Sequence, residues 1–149
     1  MQEKNSAEIE QSIRANAELV LQELRQLSGR DFGYTKESVE WLDGYIERLR
    51  NSGQFDDVET RDRLTNVFGS FLGECVIHCY GGEWKQHEGR WGVAFKGGDM
   101  AFPFAKVAKQ FENGGLDGVS SFFRVIPVIF EGRVSALPTA SRKPWWRCW

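Results

Sequence analysis

The chain has 149 residues, 41% of them hydrophobic and 27% charged, which fits one globular domain with a core of useful size. A formal net charge of −2 argues against a general nucleic-acid binder. No apolar leader and no run of 18 apolar residues is visible, so neither a secretory signal nor a membrane span is expected.

The charge is uneven. Residues 1–80 hold 15 acidic and 9 basic side chains, a balance of −6; residues 81–149 hold 6 and 10, a balance of +4. Acidic helix starts explain part of this. An acidic face made for a basic partner is the other reading. Cys75, Cys79 and Cys148 are an odd set, with two inside one helix, so a reducing cytoplasm is expected rather than a disulfide scaffold.

The first helix is expected from Ala7 to Leu27. Asn5 caps it, with Glu8 three residues on, and Ile9, Ile13, Ala17, Val20, Leu24 and Leu27 form its inner stripe. Thr35 caps a second helix, Lys36 to Asn51. Its stripe is Val39, Leu42, Ile46 and Leu49, widened by Trp41 and Tyr45. Asp56 or Asp57 caps the third. There Leu64, Val67, Phe68, Phe71, Leu72, Cys75, Val76 and Cys79 recur at helical spacing up to Tyr80. Its second half is apolar on nearly every side, so it should be the central helix. Gly69 and Gly73 make a small-residue face for a close neighbour.

After Gly81-Gly82 the period changes to two. Trp84, then Trp91, Val93 and Phe95, then Met100 and Phe102 alternate with polar or small residues, the pattern of half-buried strands. His87-Glu88-Gly89 supplies the first turn. Gly97-Gly98 supplies the second as a two-residue hairpin. Pro103 opens a fourth helix with Phe104, Val107, Ala108 and Phe111 on its inner face. Asp117 caps a fifth, with Val119, Phe122, Phe123 and Ile126 inward; Pro127 kinks or ends it. The expected fold is α+β: an N-terminal three-helix half, a small three-stranded antiparallel meander and two further helices, over residues 1–132. Residues 133–149 form an irregular tail rich in Trp.

Cys75, His78 and Cys79 share a helix face, but one helix supplies two or three ligands where zinc wants four, so no metal and no cofactor are expected. The same cysteines stand at the helix end where the dipole disfavours a thiolate. Glu74, His78 and Trp84 are the alternative site, for a small enzyme or ligand-binding domain.

Three stretches, SVEWLDGYIERLR, LTNVFGSFLGECVIHCYGGEW and FPFAKVAKQFENGGLDGVSSFF, resemble an uncharacterised bacterial domain family. Its pattern is a helix ending LGxxLGE, a GGxW strand start, a proline-initiated helix and an NGxD segment. Gly69, Gly73, Glu74, Gly81, Gly82, Trp84, Pro103, Asn113, Gly114 and Asp117 carry it, over residues 35–130. The resemblance implies a cytoplasmic bacterial α+β domain and no particular activity. Small bacterial domains of this kind often stand beside toxins as immunity proteins. The expected role is therefore non-enzymatic: an antitoxin-like protein that occludes a cognate protein effector. The expected contacts are the acids Glu37, Glu40, Asp43, Glu47, Asp56, Asp57, Glu59 and Asp62, or Trp145, Trp146 and Trp149 of the tail. Oligomeric state stays open.

Overall fold

The computed structural model describes residues 5–134, with the side chains of 117 and 130–134 left aside; Trp145, Trp146, Trp149 and Cys148 lie outside the described residues. Five α-helices and a three-stranded antiparallel sheet, in the order β1-β2-β3, make the expected α+β fold.

Local capping sets the first three helices. The Asn5 side chain accepts from Glu8 N–H at the start of α1, Ser6–Ser28. Thr35 does the same for Ser38 in α2, Lys36–Ser52. Of the two aspartates before α3, Val58–Tyr80, it is Asp57 that accepts from Thr60 N–H, at 2.9 Å. The second half of α3 is buried on nearly every side, with Phe71, Leu72, Cys75 and Val76 fully enclosed and only His78 open to solvent. It packs along α1 on one side and α4 on another. The core stripe of α1 ends differently from expectation. Leu27 is exposed and Leu21 is buried, because a 3.6-residue stripe through Ala17 and Leu24 drifts past position 27.

β1 is Glu83–His87, β2 Arg90–Ala94 and β3 Met100–Ala101. Trp84 pairs with Val93, and Val93 with Ala101. Glu88 and Gly89 both take positive φ, 51° and 78°, the conformation of a two-residue turn that suits the twist of a hairpin. The Gly97-Gly98 connection is wider than a two-residue turn. Phe95 N–H donates to Asp99 O, and Phe95 O accepts from Gly98 N–H, so Lys96, Gly97 and Gly98 together form the loop. β3 is short because Pro103 starts α4, Pro103–Asn113, only two residues after Ala101.

A 3₁₀ turn, Gly114–Asp117, leads to α5, Val119–Val134. The expected Asp117 cap concerns a side chain outside the described ones; Gly118 stands immediately before α5, and the Val119 and Ser120 N–H groups are held from elsewhere in the fold. Gln110 Oε1 accepts from Val119 N–H at 2.9 Å. Asp43 Oδ2, from α2, accepts from Ser120 N–H at 3.0 Å and from Ser120 Oγ–H at 2.8 Å. Gln110 Nε2 in turn donates to Asp43 Oδ1 and Asp43 O, both at 3.1 Å. α5 also continues helically through Pro127 rather than ending there; it lies against α2.

Candidate functional site

Glu74, His78 and Trp84 do meet. Gly73 leaves a gap on α3, and the Trp84 indole lies across it, beside Pro103. The indole Nε1–H donates to Glu74 Oε2 at 2.8 Å. His78 Nε2 stands 3.9 Å from Glu74 Oε1. The His78 ring stacks on Tyr34, centroids 4.7 Å apart. Glu74 and Trp84 are 8% and 4% exposed, whereas the His78 side chain is half open to solvent. The cluster is therefore a satisfied core acid with a histidine at its edge. Burial raises the Tyr34 phenol above its usual range, and the Glu18 carboxyl, which accepts from its hydroxyl at 3.2 Å, adds to the effect.

Cys79 Sγ–H donates to Tyr34 O at 3.4 Å, and Cys75 is fully enclosed. Among the described residues no group of three or more His, Cys, Asp and Glu is arranged to hold a metal ion.

The eight acids do not form one face. Asp43 turns inward to the α5 start. Glu47 and Arg50 lie beneath Gly114, and Arg50 Nε–H donates to Phe111 O at 3.2 Å. Asp56, Asp57, Glu59 and Asp62 gather around the α2–α3 loop and the first turns of α3, all exposed. There Asp56 pairs with Arg61 at 3.0 Å and Glu59 with Arg63 at 3.2 Å. Hydrogen bonds from the Thr60 hydroxyl and N–H hold the Asp57 carboxyl below the usual range.

Glu37 and Glu40 belong to a third group, on the outer face of α2. Residues 37, 41, 45 and 48 follow one another at helical spacing and share that face. Trp41 and Tyr45 rings lie 5.3 Å apart, half-buried, and Phe32 supports Trp41 from below at 6.0 Å. The Arg48 guanidinium covers both, 5.1 Å from the Trp41 ring and 5.6 Å from Tyr45. Glu37 pairs with Arg30 at 3.1 Å and Glu40 with Lys36 at 3.5 Å. Val39, Leu42 and Ile46 of α2 are fully buried, and Trp41 and Tyr45 widen that stripe as expected, packing against the core through Phe32 and Phe68 while Arg48 covers their outer side.

No family model matches the chain, and neither a curated protein nor a solved structure does. The resemblance to the bacterial domain family thus rests on the spaced motifs alone.

Proposed function

We propose that this chain is a non-enzymatic protein-binding protein, and that its contact surface is the outer face of α2. The observation that carries this reading is the cluster of Trp41, Tyr45 and Arg48, half open on one helix face. These are the three residue types that dominate binding hot spots. Tyr45 and Arg48 hold the Trp41 ring in place before any partner arrives, so little side-chain entropy is lost on docking. Glu37 and Glu40 rim the cluster. Their partners Arg30 and Lys36 hold them through exposed ion pairs, worth about 0–1 kcal/mol each, which a basic partner can exchange at small expense.

The concrete form of the role is immunity-type: occlusion of a bacterial protein effector, in the cytoplasm. The burial of Cys75 and Cys79 within α3 suits a reducing compartment. The test is coexpression with effectors encoded beside the gene, scored by cell survival and by a stoichiometric complex that withstands a salt wash. A Trp41→Ala/Arg48→Ala variant should lose both. The alternative reading, a small-ligand site at Glu74, His78 and Trp84, is weakened by the burial and mutual satisfaction of Glu74 and Trp84, which leaves only His78 open. A thermal-shift screen of small acids and divalent ions, compared with Glu74→Gln, tests it.

A further inference from the structure

On the side of the molecule formed by β2, α4 and α5, the surface has a different chemistry. α5 carries an apolar ridge: Val125 is 44% exposed, Val128 72% and Ile129 66%. One flank of the ridge falls into an open groove of about 320 Å³, lined by Arg90, Phe102, Lys106, Lys109, Phe122 and Ile126 among others. The groove floor is aromatic and aliphatic, and its polar groups are all cations. Arg90 lies over the Phe102 ring, 4.4 Å from its centroid, so the guanidinium stays at the groove mouth. By helical spacing Arg124, also exposed, stands on the other flank of the ridge. Cations thus border an exposed apolar strip on both sides.

We infer that this face is a docking surface for an anionic lipid bilayer, with the α5 ridge entering the headgroup region. Charge complementarity selects the occupant. Among the described residues Arg90, Lys106 and Lys109 line the groove and Arg124 stands on the other flank of the ridge. Each basic group near an anionic leaflet adds to the attraction. The ridge supplies the second requirement, apolar area that a bilayer can bury. Long basic side chains of the kind that border it are enriched at headgroup level. An acidic protein would need its charges placed to match three separate cations; a lipid surface needs only both properties side by side. Among the described residues no helix is long and apolar enough to cross a membrane, and the inference concerns binding on its surface. It is independent of the α2 reading, which uses other residues.

Cosedimentation of the full chain with two kinds of vesicle tests the inference: phosphatidylcholine alone, and phosphatidylcholine mixed with phosphatidylglycerol. The expected result is pelleting with the mixed vesicles that weakens in high salt, and at least about tenfold weaker partitioning onto the neutral ones. Val128→Ser/Ile129→Ser, at exposed positions that spare the core, should reduce partitioning about tenfold or more. Arg90→Gln/Lys109→Gln should reduce it by a similar factor. Circular dichroism checks that both variants fold. No partitioning onto mixed vesicles overturns the inference. So do equal partitioning onto neutral vesicles, unchanged partitioning of the Val128→Ser/Ile129→Ser variant, and occupation of this face by an acidic protein without any vesicle binding.

Discussion

Two helical glycines, Gly73 and Gly44, predict opposite outcomes for the same substitution, and Gly73→Ala is the decisive one. A methyl group at Gly73 would overlap the six-membered part of the Trp84 ring and press on Pro103 Cγ at 3.1 Å. Trp84 is 4% exposed and tied to Glu74, so the ring has no free space to enter. Overpacking of this kind costs about 1–3 kcal/mol. If the indole moves, Glu74 also loses its donor while staying buried, a further loss of about 1–3 kcal/mol. Alanine returns about 1 kcal/mol of helix propensity. The net expectation is a loss of about 2–4 kcal/mol, with Tm lowered by about 10 °C. Gly44 is the internal control. Its added methyl would meet only the end of the Arg48 side chain at 3.6 Å, so Gly44→Ala should stabilise α2 by about 0.5–1 kcal/mol. Urea denaturation followed by circular dichroism measures both. A Gly73→Ala protein as stable as Gly44→Ala would refute the packing of Trp84 on α3.

Other variants test other parts of the structure. Trp84→Phe keeps most of the ring but leaves Glu74 Oε2 without its donor, and should lower stability by about 1–3 kcal/mol in the same assay. Asp43→Ala removes the remote cap of α5; a loss of about 2–3 kcal/mol is expected, with faster amide exchange at Val119 and Ser120, and unchanged exchange there would contradict the capping role. The folded-state pKa of Asp57 is depressed, so its contribution is present above the unfolded carboxyl range and disappears as pH falls through the folded value. Asp57→Asn should flatten that part of the acid limb of the stability curve. Tyr34 has a raised folded-state pKa, so its contribution is intact below the ordinary tyrosine range near 10 and is lost as pH climbs above it. Ultraviolet difference spectra should show Tyr34 ionising late, and Tyr34→Phe should remove that contribution.

Features encoded within a few residues were legible in the chain. Asn5, Thr35 and Asp57 each offer an acceptor where a helix begins, and Pro103 can only start one. The buried half of α3 announced itself because it has no polar side. Features that depend on distant residues were not legible. The Ser120 N–H and hydroxyl at the start of α5 are held by Asp43, 77 positions earlier, a contact that local sequence cannot show. Asp43 and Glu47 counted as surface acids until the fold turned their side of α2 toward the α4–α5 corner. Trp41 and Tyr45 obey helical spacing and do widen the core stripe; what spacing alone did not show is the Arg48 guanidinium covering their outer side. The meeting of Glu74, His78 and Trp84 was legible in part. Glu74 and His78 are one turn apart on α3. Trp84 reaches them only because Gly73 leaves room for its ring.

The most direct test of the central claim is affinity capture from the source cell with the wild-type chain and the Trp41→Ala/Arg48→Ala variant side by side, with bound protein quantified after a salt wash. Two hot-spot losses of about 2 kcal/mol or more each should lower recovery of a stoichiometric partner by about 100-fold or more. Circular dichroism must show the variant folded, as expected from the fully buried stripe of α2. Equal recovery of the same partner by both proteins would place the contact elsewhere and contradict the account.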